Sequence, residues 1–314
     1  MKKTAFVILF LFAGCSDDFS PNGEYQKRLI VYAVIDGSSS TQMVRVYSTF
    51  SPDAYDPLLH SPNSDVANAS VNIVDGNVSY IFHDTLITVS IGSGATKQVR
   101  AYVNYVLQPI ENKTYVLTVF APGYDTVKSA ISGVFPGDII PGNISLFSKP
   151  ATEKYIPIRV SLGSNAKAYL AMISLEYEIP NDSVLKVKEV PVIVKKNESG
   201  EVIQRFYPKI TFRDASSVLS TSYETITFES AAYTSVISDI KKEHQGITVK
   251  FRRAILTLIQ FDNGLYTYYS ITNAFGGGST IRLDEPDYTN IVNGFGVFGM
   301  MTKQERSYGL PSDL

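Results

Sequence analysis

The chain has 314 residues, 44% of them hydrophobic and 12% aromatic, enough apolar material for a substantial core, and global disorder is excluded. The formal charge is −2, and the nearest thing to a basic patch is the scattered set Lys241, Lys242, Lys250, Arg252 and Arg253, which argues against nucleic acid as a partner. One cysteine, Cys15, leaves no intrachain disulfide and no cysteine–metal site.

In chain order, Lys2 and Lys3 precede an apolar run over 5–13, shorter than the roughly 18 residues a membrane-spanning helix needs. It closes in Leu11-Phe12-Ala13-Gly14-Cys15, which resembles a bacterial lipobox. Residues 1–14 therefore read as a lipoprotein signal peptide, with Cys15 as the lipidated residue. Ser16, Asp17 and Asp18 follow at once and resemble the acidic tag that exports some lipoproteins to the cell surface. Residues 15–27, with Pro21, Asn22 and Gly23, read as this tag and a flexible tether. The expected location is the outer membrane, facing the cell exterior. Anchoring is through acyl chains, each contributing about 0.8 kcal/mol per buried CH₂.

From Arg28 onward the patterning is β. Strands are expected at 29–35, 42–50, 69–74, 78–83, 86–91, 101–107, 115–121 and 127–134, with a polar loop at 51–65. Asp75-Gly76-Asn77 between two of them is a hairpin signal. Such spacing predicts an N-terminal β-sandwich, Ig-like or prealbumin-like, over 28–136. Phe135-Pro136-Gly137-Asp138 has the composition of a linker, so a second, antiparallel β-rich domain with one or two short helices is expected over 137–314. Its strands are read at 154–162, 168–178, 184–195, 202–213, 223–228 and 247–260. Ala231, Tyr233, Val236, Ile237 and Ile240 give 230–244 a helical face closed by Gly246, and 265–274 reads as a short helix or turn.

Near the C-terminus, Glu285 and Pro286 precede Asn290-Ile291, then Asn293-Gly294-x-Gly296-x-Phe298-Gly299. This run resembles the terminal signature of the domain-of-unknown-function 4249 family. The resemblance extends over about 15–300 and implies a lipoprotein with a β-rich body beside an outer-membrane TonB-dependent receptor. It carries no activity and no catalytic residues. Physically, glycines alternating with Phe295, Val297 and Phe298 suit a strand where backbones approach closely while the apolar side chains enter a core. The letters Gly294-x-Gly296-x-x-Gly299 also fit a dinucleotide fingerprint, but no strand–helix–strand unit surrounds them.

No other constellation carries chemistry. His60, His83 and His244 lack metal-ligand spacing, no Gly-x-Ser-x-Gly elbow occurs, and Asp53 and Asp56 have no full calcium loop around them. Glu176 and Glu178 share one face of an expected strand, a spacing more usual on a solvated face than in an enzyme. The 20 tyrosines, among them Tyr47, Tyr55, Tyr266, Tyr268 and Tyr269, suit half-buried sheet positions or a recognition surface. Asp84-Thr85-Leu86, Asp125-Thr126-Val127 and Asp182-Ser183-Val184 resemble a bacterial O-glycosylation motif. The resulting expectation is a non-enzymatic surface lipoprotein without metal or cofactor, an accessory or ligand-binding partner of a receptor in nutrient uptake. The alternative is a structural or adhesive surface protein.

Overall fold

A computed structural model describes residues 26–50, 65–90, 95–140, 145–149, 152–180, 182, 184–213, 223–274, 288–312 and 314. Cys15, Ser16, Asp17, Asp18, Glu285 and Pro286 lie outside the described residues, as do Asp53, Tyr55, Asp56, His60 and Ser183.

The protein is mostly β. The first strands are β1 (Leu29–Asp36), β2 (Gln42–Ser48), β3 (Ser70–Asp75), β4 (Val78–Ser90), β5 (Thr96–Asn104), β6 (Thr114–Phe120) and β7 (Val127–Ser132). Then come β8 (Asp138–Ile140), α1 (Ser145–Ser148), β9 (Tyr155–Ser161), β10 (Ala168–Glu178), β11 (Lys186–Val190), β12 (Ile193–Lys196), β13 (Val202–Phe206) and β14 (Thr211–Phe212). The chain closes with β15 (Tyr223–Glu229), α2 (Ser230–Glu243), β16 (Lys250–Phe261), α3 (Asn263–Ala274) and β17 (Phe295–Gly309).

Alternation sets which side chains face inward. Leu29, Val31, Ala33 and Ile35 of β1 are all fully buried, and they share one cluster with Val71 and Ile73 of β3 and Leu117 and Val119 of β6. One layer, β17–β1–β2–β5, thus packs over another, β3–β6–β7. The sequence pattern suggests two strands over 78–91. In the structure they are one, because β4 pairs with β3 as far as Phe82 and with β5 from His83 onward, crossing from one layer to the other. The Asp75-Gly76-Asn77 hairpin forms, with Gly76 at φ 66°.

In the second half, Ile173 and Leu175 of β10 and Leu256 and Leu258 of β16 share a core with Ile158 and Val160 of β9 and with Tyr233, Val236 and Ile240 of α2. Expected strands 184–195 and 202–213 are each broken in two, at Pro191 and Pro208, where the missing N–H interrupts a ladder. α2 and α3 form where helical periodicity placed them, with Gly246 at φ +81° after α2.

Strand β17 joins the two halves. Its residues 295–301 run parallel to β1, and residues 301–309 run antiparallel to β16. A 15-residue strand of about 50 Å thus carries one continuous path of strands from β11 to β7. No helix among the described residues is long and apolar enough to cross a membrane.

Candidate functional site

The signature residues at 290–299 meet at the crossing of β17, β1, β7 and α3. Asn290 sits just before the strand and does a strand's work with its side chain. Its Nδ2 donates to the Phe298 carbonyl at 2.6 Å, and its Oδ1 accepts the Phe298 N–H at 2.8 Å. Its own carbonyl accepts Ser129 Oγ at 2.7 Å, and Val292 exchanges backbone hydrogen bonds with Lys128. The segment therefore covers the outer edge of β7, which would otherwise offer unpaired main-chain groups to another chain.

Asn293 then turns the backbone at φ 63°, a left-handed conformation that asparagine tolerates, and its Nδ2 donates to the Thr126 carbonyl at 3.3 Å. Gly294 lies so close to β1 that a Cβ would stand 2.8 Å from the Leu29 carbonyl oxygen. Gly296 has φ +105°, and a Cβ there would overlap the Val31 carbonyl. At Gly299 a Cβ would overlap the Leu265 side chain on α3. Ile291 and Phe298 point the other way, into the core between the layers. Every described residue of the signature is thus occupied in joining elements.

Asp262 lies against the same crossing. It precedes α3, and its Oδ1 accepts the Leu265 N–H at 2.8 Å, the contact of a helix N-cap. Its backbone N–H donates to the Met300 carbonyl at 3.0 Å. Burial pushes its carboxyl up to about 6, against the N–H groups of Leu265, Met300 and Gly264, which favour the charged form. The carboxyl borders a pocket of about 390 Å³ whose walls include Asn165, Lys167, Tyr288 and Asn290. Sequence reading missed Asp262. Its signal was present, since an aspartate directly before a helical pattern is an N-cap candidate.

A second set of contacts holds the segment connecting the halves. Asn165 accepts the Phe135 N–H at 2.8 Å and donates to the Gly133 carbonyl at 2.6 Å. Fully buried Gln260 accepts the Gly163 N–H at 2.7 Å, and Arg213 donates to the carbonyls of Gly163 and Ala166. Asp138 takes a forked pair from Arg306, both bonds at 2.9 Å. The Pro/Gly composition of 135–138 thus corresponds to a close-packed crossing: a Cβ on Gly137 would overlap the Ser161 carbonyl.

The remaining candidates are dispersed. Glu176 pairs with Arg253 through two bonds of 2.8 Å, and Glu178 with Arg252 and Lys250. A register shift between β10 and β16 lets both adjacent arginines reach these carboxylates. Glu178 is held below the usual carboxylate range by the Arg252 hydrogen bond. Tyr266 and Tyr269 lie on α3 against Phe212 and Phe261, with ring centroids 5.5 and 5.4 Å apart. Tyr47 meets Tyr32 edge to face at 6.1 Å. His83 is exposed on β4, and His244 ends α2 beside Tyr177. Thr85 is held within β4, its Oγ1 donating to the His83 carbonyl, and Thr126 lies in the β6–β7 turn. Among the described residues, no three His, Cys, Asp or Glu side chains gather as metal ligands would.

Residues 16–307 match the family model of a domain of unknown function, DUF4249. No curated protein matches the chain.

Proposed function

We propose a function from one premise: the chain belongs to the domain-of-unknown-function 4249 family. It is a non-enzymatic lipoprotein of the outer membrane, anchored through Cys15 and facing the cell exterior. It serves as an accessory or ligand-binding partner of a TonB-dependent receptor in nutrient uptake. The observation that carries this reading is the use made of the signature. Asn290, Gly294 and Gly296 fasten strands to one another and Gly299 seats β17 against α3, where an enzyme family's signature would present groups to a substrate. A rigid β body behind a lipid tether suits display and docking. Leu11–Cys15 and the acidic Ser16-Asp17-Asp18 support the address.

Protease treatment of intact cells tests the placement: the body is expected to be cleaved without lysis. Affinity capture from solubilised membranes is expected to bring down a TonB-dependent receptor, and deletion to impair uptake of one substrate. A body protected until cells are broken, with no receptor captured, overturns the proposal. Attachment to other surfaces without a transport defect favours the adhesive alternative.

A further inference from the structure

The seam between the two halves contains a second, larger cavity, distinct from the pocket beside Asp262. Four separate stretches wall it: the turn after β1, residues 109–112, the connecting segment 134–136, and β17 from Met300 to Gln304. Its volume is about 690 Å³, within the range of small-molecule sites, which favour seams of this kind. We propose that this cleft binds a small, uncharged, largely apolar molecule. The inference goes beyond receptor partnership and does not depend on it.

The walls are pre-formed. Gly37 N–H donates to the Met301 carbonyl at 2.9 Å, and Gly133 N–H to the Lys113 carbonyl at 2.7 Å. The Ile110 N–H donates to the Tyr115 hydroxyl at 2.7 Å, and that hydroxyl donates to the Ile110 carbonyl at 3.2 Å. An occupant therefore meets a site that needs no ordering. The wall is apolar at Phe135 and Pro136, with Val134 and Met300 almost wholly buried beneath them. At the lip, Ile110 is 50% exposed, apolar surface that an occupant would remove from water.

Charge selects the occupant. Lys303 is already paired with Glu305 at 2.7 Å, and the other charged wall residue, Glu111, is exposed to solvent. An anion finds no unpaired cation on these walls, and a cation finds only the solvated Glu111 carboxylate, a pairing worth about 0–1 kcal/mol, less than the hydration it would lose against the apolar wall. What the rim offers instead are neutral polar groups: the Gln304 amide, and the Ser38 hydroxyl, which donates to Asp36 Oδ1 and so accepts from a ligand hydroxyl.

Benzophenone, uncharged and apolar, tests the site on the full-length protein in detergent. Photolysis, digestion and mass spectrometry then map the labelled peptides. Saturable labelling is expected at Phe135, half-buried in the cleft wall, in preference to Met43, which is 46% exposed on the outer face of β2. Ile110→Asp is expected to cut Phe135 labelling at least tenfold, and Ser38→Trp, which fills the mouth from an exposed position, to do the same. Ile81→Asp, outside the cleft, is expected to leave it unchanged. Melting temperatures confirm that each variant is folded. Labelling that follows surface exposure, that never saturates, or that survives both cleft variants overturns the proposal. No receptor is present in the assay, so its outcome is independent of the partnership.

Discussion

The two halves of β17 are one strand in two environments. Over residues 295–301 it has the sandwich core on one face and α3 on the other, and Val297, Phe298, Gly299 and Met300 are buried in succession. Over 302–309 only one face is covered, and Lys303, Glu305 and Ser307 alternate outward. Glycine is required in the first half because neighbours close in from both sides. In the second half, Gly309 has nothing within 4 Å of where a Cβ would stand. The contrast shows that the signature marks two-sided packing at a joint.

Substitutions along the strand can break this contrast. Gly296→Ala is expected to have the largest effect, about 4 kcal/mol or outright failure to fold, since strain at φ +105° adds to overlap with β1. Gly309→Ala is expected to stay within about 0.5 kcal/mol. Urea melts of the pair measure both, and equal losses would dissolve the distinction.

Asp262 comes next. Its folded value of about 6 lies above the ordinary 3.8, so its contribution to stability is fully present below about pH 4 and is lost as pH rises through 6. At about 1.4 kcal/mol per unit, the change attributable to this group is ~3 kcal/mol. Asp262→Asn retains a capping oxygen and is expected to remove this part of the pH dependence. Denaturation curves of the two proteins at pH 4, 6 and 8 check it, and parallel profiles would refute it.

Asn290→Ala removes two hydrogen bonds and leaves both main-chain groups of Phe298 unpaired, which costs about 2 kcal/mol. Smallest of all, Lys303→Ala in the solvated half is expected to change stability by under about 0.5 kcal/mol, since its ion pair with Glu305 is exposed. Thermal melts of both variants check this ordering.

Local pattern made much of the fold legible. β patterning announced β1, β3 and β6, and the apolar face of Ala231–Ile240 announced α2. Pairing between distant residues was not legible, because nothing local to Phe295–Met301 encodes β1 as its parallel neighbour. The same holds for β4, whose change of partner at His83 depends on where β3 and β5 lie. The signature at 290–299 was recognisable as letters, and the close approach of its glycines was anticipated. Asn290 as a substitute for a strand needed the geometry, as did the role of Asp262. Pro191 and Pro208 divide strands outright, where the β patterning alone ran on through them.

The signature fastens the two halves into one cooperative body. Amide hydrogen exchange of Asn290→Ala against the parent protein tests it most directly. If the joint couples the halves, protection in β1 and in β16 falls together, by roughly thirtyfold for a 2 kcal/mol loss. Loss confined to β1 and residues 288–298, with β16 unchanged, would contradict it.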